Sequence, residues 1–229
     1  MPSGFTGPAS TAQGGIAAGL LAAGLNGPAG VRLHAPPPLA TPLRVEETDV
    51  GLEAWLEDTL ILSAHAESVD VEPPDVDLNT ARAAGAAPKQ HVAPHCVVCG
   101  DRHPHGLKIF PGSMEGSTVI ATEWTPPAWT AGESGAVREE LLWGVLDCPG
   151  SWSFLVGGDF PDGFFPALGS IAVDLRAPVA VGEPVVVLGW PIEVDGRKYR
   201  AATAVVAGDG TTLAVSKQTC IALPLDWAN

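Results

Sequence analysis

The densest grouping of chemically active side chains lies between His91 and His105, a stretch holding four of the six histidines and two of the four cysteines. Cys96-x-x-Cys99 followed by His103 and His105 presents enough thiolate and imidazole ligands for tetrahedral zinc. No second well-spaced pair follows, and Cys148 and Cys220 fall in segments read as core. A redox dithiol, or a tight loop held by Gly100 and Pro104, therefore stands beside the zinc reading, and no metal or other cofactor is assigned. Four cysteines in 229 residues are too sparse for a disulfide scaffold.

Asp147 is the second chemical candidate. It follows Trp143, Val145 and Leu146 and precedes Pro149, which is expected to end its helix. A carboxyl at a helix C-terminus among apolar neighbours has its proton affinity raised by the helix dipole and by burial, which suits a general base. The same Asp ahead of Cys148-Pro149-Gly150 also suits a turn, its carboxylate accepting from backbone N–H groups. Arg176, Arg197, Lys198 and Arg200 form the nearest concentration of positive charge that phosphates would require, although a solvated strand face gives the same pattern. Trp124, Trp129, Trp143 and Trp152 surround the Asp147 segment and are candidates either for an apolar tunnel or for core. Gly14-Gly15 and Gly157-Gly158 lack the strand-to-helix context of a phosphate loop, and no Gly-x-Ser-x-Gly nucleophile elbow occurs.

The elements that must position these groups emerge when the chain is compared with itself. Val31, Leu33, Ala35, Pro36, Pro42 and Val45 match Val173, Leu175, Ala177, Pro178, Pro184 and Val187 at a constant offset of 142. Alternation of period two marks each copy as a strand, a Pro-bounded crossing and a second strand. After the first copy, Leu52 to Trp55 and Thr59 to Val69 read as a hairpin turning near Glu57-Asp58. After the second, Asp195-Gly196 and Asp209-Gly210 are hairpin turns. One helix precedes each copy: Gln13 to Leu25, with Ile16, Leu20 and Leu21 on one face, and Val137 to Leu146. The expected fold is α+β, with an antiparallel sheet wrapped around a central helix in each of two fused halves.

The Pro-, Asp- and Ala-rich stretch 71–95 reads as a linker, giving an N-terminal half at 1–80, a linker proper at 81–95 and a C-terminal half at 96–229. The second half opens with two extended segments, Gly106 to Phe110 and Thr118 to Trp124, that the shorter first half lacks. With 46% hydrophobic and 17% charged residues, the chain has the composition of a packed globular protein. A net charge of −14 with no Lys/Arg cluster argues against nucleic-acid binding. The first basic residue is Arg32, and no apolar run nears the roughly 20 residues needed to span a bilayer, so a soluble, cytoplasmic protein is expected, without a membrane partner.

Three stretches carry a resemblance. The segment from His95 to Leu107, with Cys96-x-x-Cys99-Gly100 and Gly106-Leu107, resembles the opening of thioesterase-like hotdog proteins. The segment from Trp143 to Gly150 resembles their central helix, and Ser10-Thr-Ala-Gln-Gly-Gly resembles the polar-Gly-Gly entry to that helix. The resemblance covers residues 10–70 and 95–223 and implies a double hotdog acting on acyl-CoA or a related acyl thioester, with association of such chains into a homodimer as a further option. It implies a carboxylate on one central helix working across the interface with a Gly-Gly helix entry, which pairs Asp147 with Gln13, Gly14 and Gly15. Asp147 and Gln13 are then the catalytic candidates, and Gly14, Gly15, Trp143 and Arg176 the substrate-binding ones. A helix cap or surface amide is the structural alternative for Gln13. The first helix carries no acid, so one composite site is expected. The Asp-x-Asn-x-x-His pattern of hotdog hydratases is missing. Because the fold also hosts proteins without catalysis, a non-catalytic acyl- or lipid-binding module is the alternative function.

Overall fold

The computed structural model describes residues 4–8, 11–86, 92–157 and 159–228. Ser10, His91, Gly158 and the part of the expected linker at 87–91 lie outside the described residues. In chain order the elements are α1 (Gly14–Ala22), β1 (Ala29–Leu33), β2 (Arg44–Thr48), β3 (Gly51–Leu56), β4 (Thr59–Ala66), α2 (Leu78–Ala84), β5 (Gly112–Ser113), β6 (Ile120–Trp124), α3 (Glu139–Gly157), β7 (Phe164–Leu175), β8 (Val185–Asp195), β9 (Lys198–Ala207) and β10 (Thr212–Pro224).

Period-two alternation and the turn residues produce one antiparallel sheet of ten strands in the order β2-β3-β4-β1-β7-β10-β9-β8-β6-β5. The expected hairpins form. Glu57, Gly196 and Gly210 all take positive φ at the turns, with Asp-Gly supplying two of the three. Pro36, Pro42, Pro178 and Pro184 fall between strands, where a missing N–H interrupts no ladder. The two halves meet where β1 pairs with β7, Ala29 opposite Val173 and Val31 opposite Ile171. These two pairs exchange under the sequence repeat, since 173 − 31 and 171 − 29 both equal 142. The seam between the halves therefore lies on a local pseudo-twofold axis, and the duplication is visible in the backbone register.

Both long helices pack on one face of this sheet and against each other. Val185 and Val187 of β8 face the helices, whereas Val186 and Leu188 face the opposite side. That opposite face is covered by the stretch read as a linker. Val69, Val71 and Ala81 of α2 join Ala121, Val186, Leu188, Ala202 and Ala204 in a second apolar cluster. Asp77 caps α2 by accepting from the Thr80 N–H at 2.7 Å. Segment 71–86 thus lies against the sheet, with Ala81 the buried residue of α2. Of the two opening segments expected in the second half, Thr118 to Trp124 yields β6, while Gly106 to Phe110 is irregular and only Gly112–Ser113 pairs.

Two helix expectations need correction. Pro149 does not end α3, which continues to Gly157. Proline gives no N–H and crowds the carbonyl four residues back. Here the sheet supplies side-chain donors to the same turn. Thr203 Oγ1 donates to the Leu146 carbonyl at 2.8 Å and Gln218 Nε2 to the Asp147 carbonyl at 2.7 Å. Gly189 of β8 permits the approach, because a Cβ there would collide with the Pro149 carbonyl. In α1, Leu20 is 47% exposed, and the buried contact is made by Gly15, Ile16, Ala17, Ala18, Gly19, Leu21 and Ala22.

The small residues set how close the helices come. A Cβ at Gly15 would stand 2.5 Å from the Trp143 carbonyl oxygen and 2.7 Å from Asp147 Cβ, and one at Gly19 would stand 2.8 Å from Trp143 Cγ and 2.9 Å from Glu140 Cα. Across the contact, Gly144 offers the same clearance to Ile16. Gly19→Ala is expected to lower stability by about 1–3 kcal/mol through overpacking, read as a lower urea midpoint with an unchanged denaturant slope.

Candidate functional site

The entry to α1 is capped by an unusual residue. Gln13 is the N-cap, its Oε1 accepting from the Ile16 N–H at 2.6 Å, and it is 2% exposed. With its oxygen turned to the helix, its amide nitrogen points across to α3, where Gln13 Nε2 donates to Asp147 Oδ2 at 2.5 Å. The Gly15 N–H, one of the unpaired donors of a helix first turn, donates to the same oxygen at 3.0 Å. The close helix approach that only glycine permits at position 15 is what brings that N–H within reach. Both bonds fall on Oδ2, and no described residue is seen donating to Oδ1.

Asp147 is almost fully buried. Burial pushes its carboxyl up to about 7, with the nearby Cys96 sulfur adding to the rise and the Gly15 and Gln13 donors opposing it. The helix dipole expected to help does not apply, since Asp147 sits mid-helix.

This carboxyl lies on the wall of a cavity of about 300 Å³ at the junction of the halves. The first half contributes Gln13, Gly14, Leu33 and His34, and the second contributes Asp147, Ser151, Trp152, Phe165, Leu168 and Leu223. The lining is mostly apolar, with Asp147, Gln13 and the cysteines converging at one corner, the form of a site that takes an apolar group and presents chemistry at one end. Gly14 belongs to the lining, and a Cβ there would meet Leu168 and Leu33 at 3.1 and 3.3 Å.

Asp147, Gln13, Gly14 and Gly15 are thus brought together, and two other expected residues are not. Trp143 is buried between α1 and α3, against Gly15 and Gly19, and does not line the cavity. Arg176 borders a separate depression with Glu72, Asp77 and Asp209 and pairs with Asp174 at 2.9 Å. Arg200 likewise pairs with Glu193 at 2.5 Å. Of the four tryptophans weighed for a tunnel, Trp152 lines the cavity, Trp124 is buried elsewhere and Trp129 is 40% exposed.

The Cys/His cluster also divides. Cys96 and Cys99 are buried and line the cavity, and their third neighbour is Cys148 of α3, not a histidine. His103 Nε2 lies 3.1 Å from the Gly4 carbonyl, and its Nδ1 accepts from the His105 N–H. The loop is held by Lys108, whose ammonium donates to the carbonyls of Gly100, Asp101 and His103, and by Gly100 packed against Cys96. Cys148, Ser151 and His34 carried no spacing signal, because each comes to the cavity through tertiary packing.

No family model matches the sequence, and no curated protein matches it. Solved structures do. A structure assigned as a thioesterase II of Thermobifida fusca is 14% identical, with 96% of this chain and 91% of that chain covered, at a TM-score of 0.59. The TesB protein of Mycobacterium avium subsp. paratuberculosis is also 14% identical, with 93% and 88% covered, at 0.57. A thioesterase superfamily protein is 18% identical over 57% of this chain, at 0.51, and the chain spans 61% of that protein's length. The fold is therefore the hotdog thioesterase-like fold. No helix among the described residues is long and apolar enough to cross a membrane.

Gln13→Ala removes the cap of α1 and one of the two donors to a buried carboxylate oxygen. A loss of about 1–3 kcal/mol is expected in chemical denaturation.

Proposed function

We propose that this chain is a hotdog thioesterase hydrolysing acyl-CoA or a related acyl thioester at one composite site between its halves. The observation that carries the reading is the Asp147 carboxylate of α3, held by Gln13 and Gly15 from the helix entry of the other half, on the wall of an apolar cavity. The likeness in fold to proteins assigned as thioesterases supports it.

In this reading the acyl chain lies along Leu33, Phe165, Leu168 and Leu223, and the thioester carbon sits near Asp147. Asp147, with Oδ2 fixed, takes a proton from water through Oδ1, and the water oxygen attacks the carbonyl carbon. Gln13 and the Gly15 N–H are engaged by the base, so they position the carboxylate rather than hold the substrate. That leaves the Gly14 N–H at the helix start to face the developing oxyanion. When the C–S bond breaks, the departing thiolate receives the proton from Asp147, which restores the carboxylate. The paired arginines lie away from the cavity, and Trp143 and Arg176 have no part in this scheme.

The test is hydrolysis of a panel of acyl-CoA thioesters of increasing chain length. Asp147→Asn, which keeps an acceptor for Gln13 and Gly15, should lower kcat by about 10²–10⁴ with fatty-acid binding retained. Binding without turnover by the wild-type protein on any thioester would reject hydrolysis and favour the acyl-binding alternative. A second expectation concerns selectivity. Leu168→Trp narrows the apolar end and should reduce kcat/KM for the longest accepted chain by at least about tenfold while sparing short ones, because each excluded methylene is worth roughly 1–3 kcal/mol.

A further inference from the structure

The three buried thiols beside the cavity are not used by the hydrolytic scheme. Cys96 and Cys99 come from one tight loop and Cys148 from α3, and their sulfur atoms all lie within 4.8 Å of one another. Cys96 Sγ and Cys148 Sγ are 3.9 Å apart. Tetrahedral zinc with Zn–S bonds near 2.3 Å requires sulfur atoms about 3.8 Å apart, so this pair already has the separation of two ligands of one ion. A disulfide would need the same sulfurs to close to about 2.05 Å.

Cys96 is buried with two other sulfurs as its close neighbours. Its sulfur lies 3.9 Å from the Cys148 sulfur and within 4.8 Å of the Cys99 sulfur. The loop is fixed independently of any ion by the Lys108 contacts and by the Gly100 N–H donating to the Cys96 carbonyl at 2.8 Å. Two ligands are therefore held by a rigid loop and the third by a packed helix.

We propose that Cys96, Cys99 and Cys148 form a three-thiolate site for a thiophilic divalent ion of the zinc type, its fourth position open to the cavity. All three residues line that cavity, so a water molecule or a ligand donor atom can complete the tetrahedron. Binding displaces the thiol protons of the donating cysteines as each sulfur becomes a metal ligand. The site ties the loop of the second half's opening segment to the helix that carries Asp147. It differs from the Cys96/Cys99/His103/His105 set that spacing alone suggested, since the third sulfur neighbour is Cys148 and both ring nitrogens of His103 are engaged by backbone groups of Gly4 and His105. The inference does not depend on the cavity hydrolysing thioesters.

The test uses the full chain purified without chelators and loaded with zinc or cobalt(II). One zinc per chain by elemental analysis is expected, with a thiolate-to-cobalt charge-transfer band in the near ultraviolet. Cys96→Ser, Cys99→Ser and Cys148→Ser should each abolish the band, while a His103→Ala/His105→Ala double variant keeps it. Because a serine variant can fail to fold, cysteine alkylation of the wild type is mapped in parallel. Zinc should slow modification of Cys96, Cys99 and Cys148 at least tenfold, reversed by a chelator, with Cys220 unchanged. Absence of bound zinc and of the cobalt band would overturn the proposal. So would a band that survives Cys148→Ser but not loss of the histidines, or a Cys96–Cys148 disulfide in the purified protein.

Discussion

The near-contact of α1 and α3 is the constraint on which the rest of the structure depends. Gly15 and Gly19 on one helix and Gly144 on the other leave no room for a Cβ. That closeness lets a backbone N–H at the start of α1 reach a carboxylate in the middle of α3. A buried carboxylate without donors would be expensive, and a donor placed a few ångströms further off would not serve it. The site is therefore a property of helix packing, with Gln13 joining the cap of one helix to the acid of the other.

α3 runs through Pro149 and stays docked on the sheet. A helix interrupted there would end next to Asp147, exposing it to turn geometry and solvent. Instead Thr203 and Gln218, two buried polar residues of β9 and β10, donate to the carbonyls on the turn before the proline. Polar side chains inside the sheet are thus placed for the helix, and the helix continues far enough to bring Ser151 and Trp152 to the cavity.

Much of this architecture was legible in the sequence because its signals are local or repeated. The offset of 142 reappears as the symmetric register of β1 on β7, and the Asp-Gly turns fall where hairpins close. Asp147, Gln13 and the two glycines converge as the resemblance implied. What could not be read depends on distant partners. The helix past Pro149 is docked by donors to the Leu146 and Asp147 carbonyls from residues 57 and 71 positions later. Val71 and Ala81, in the stretch expected to link the halves, pack on a sheet face that only the fold creates. Arg176 stood near the right strand but found Asp174, and Trp143 filled the helix contact rather than the cavity. Cys148 met Cys96 and Cys99 only through the docking of α3 on the loop.

The central claim is that Gln13 acts through Asp147 across the seam of the two halves. A double-mutant cycle on thioester turnover, using Gln13→Ala, Asp147→Asn and the double variant, tests it most directly. If Gln13 works by positioning the carboxylate, its loss should lower kcat in the wild-type background and have little further effect once Asp147 is replaced. Losses that simply multiply in the double variant would contradict the account.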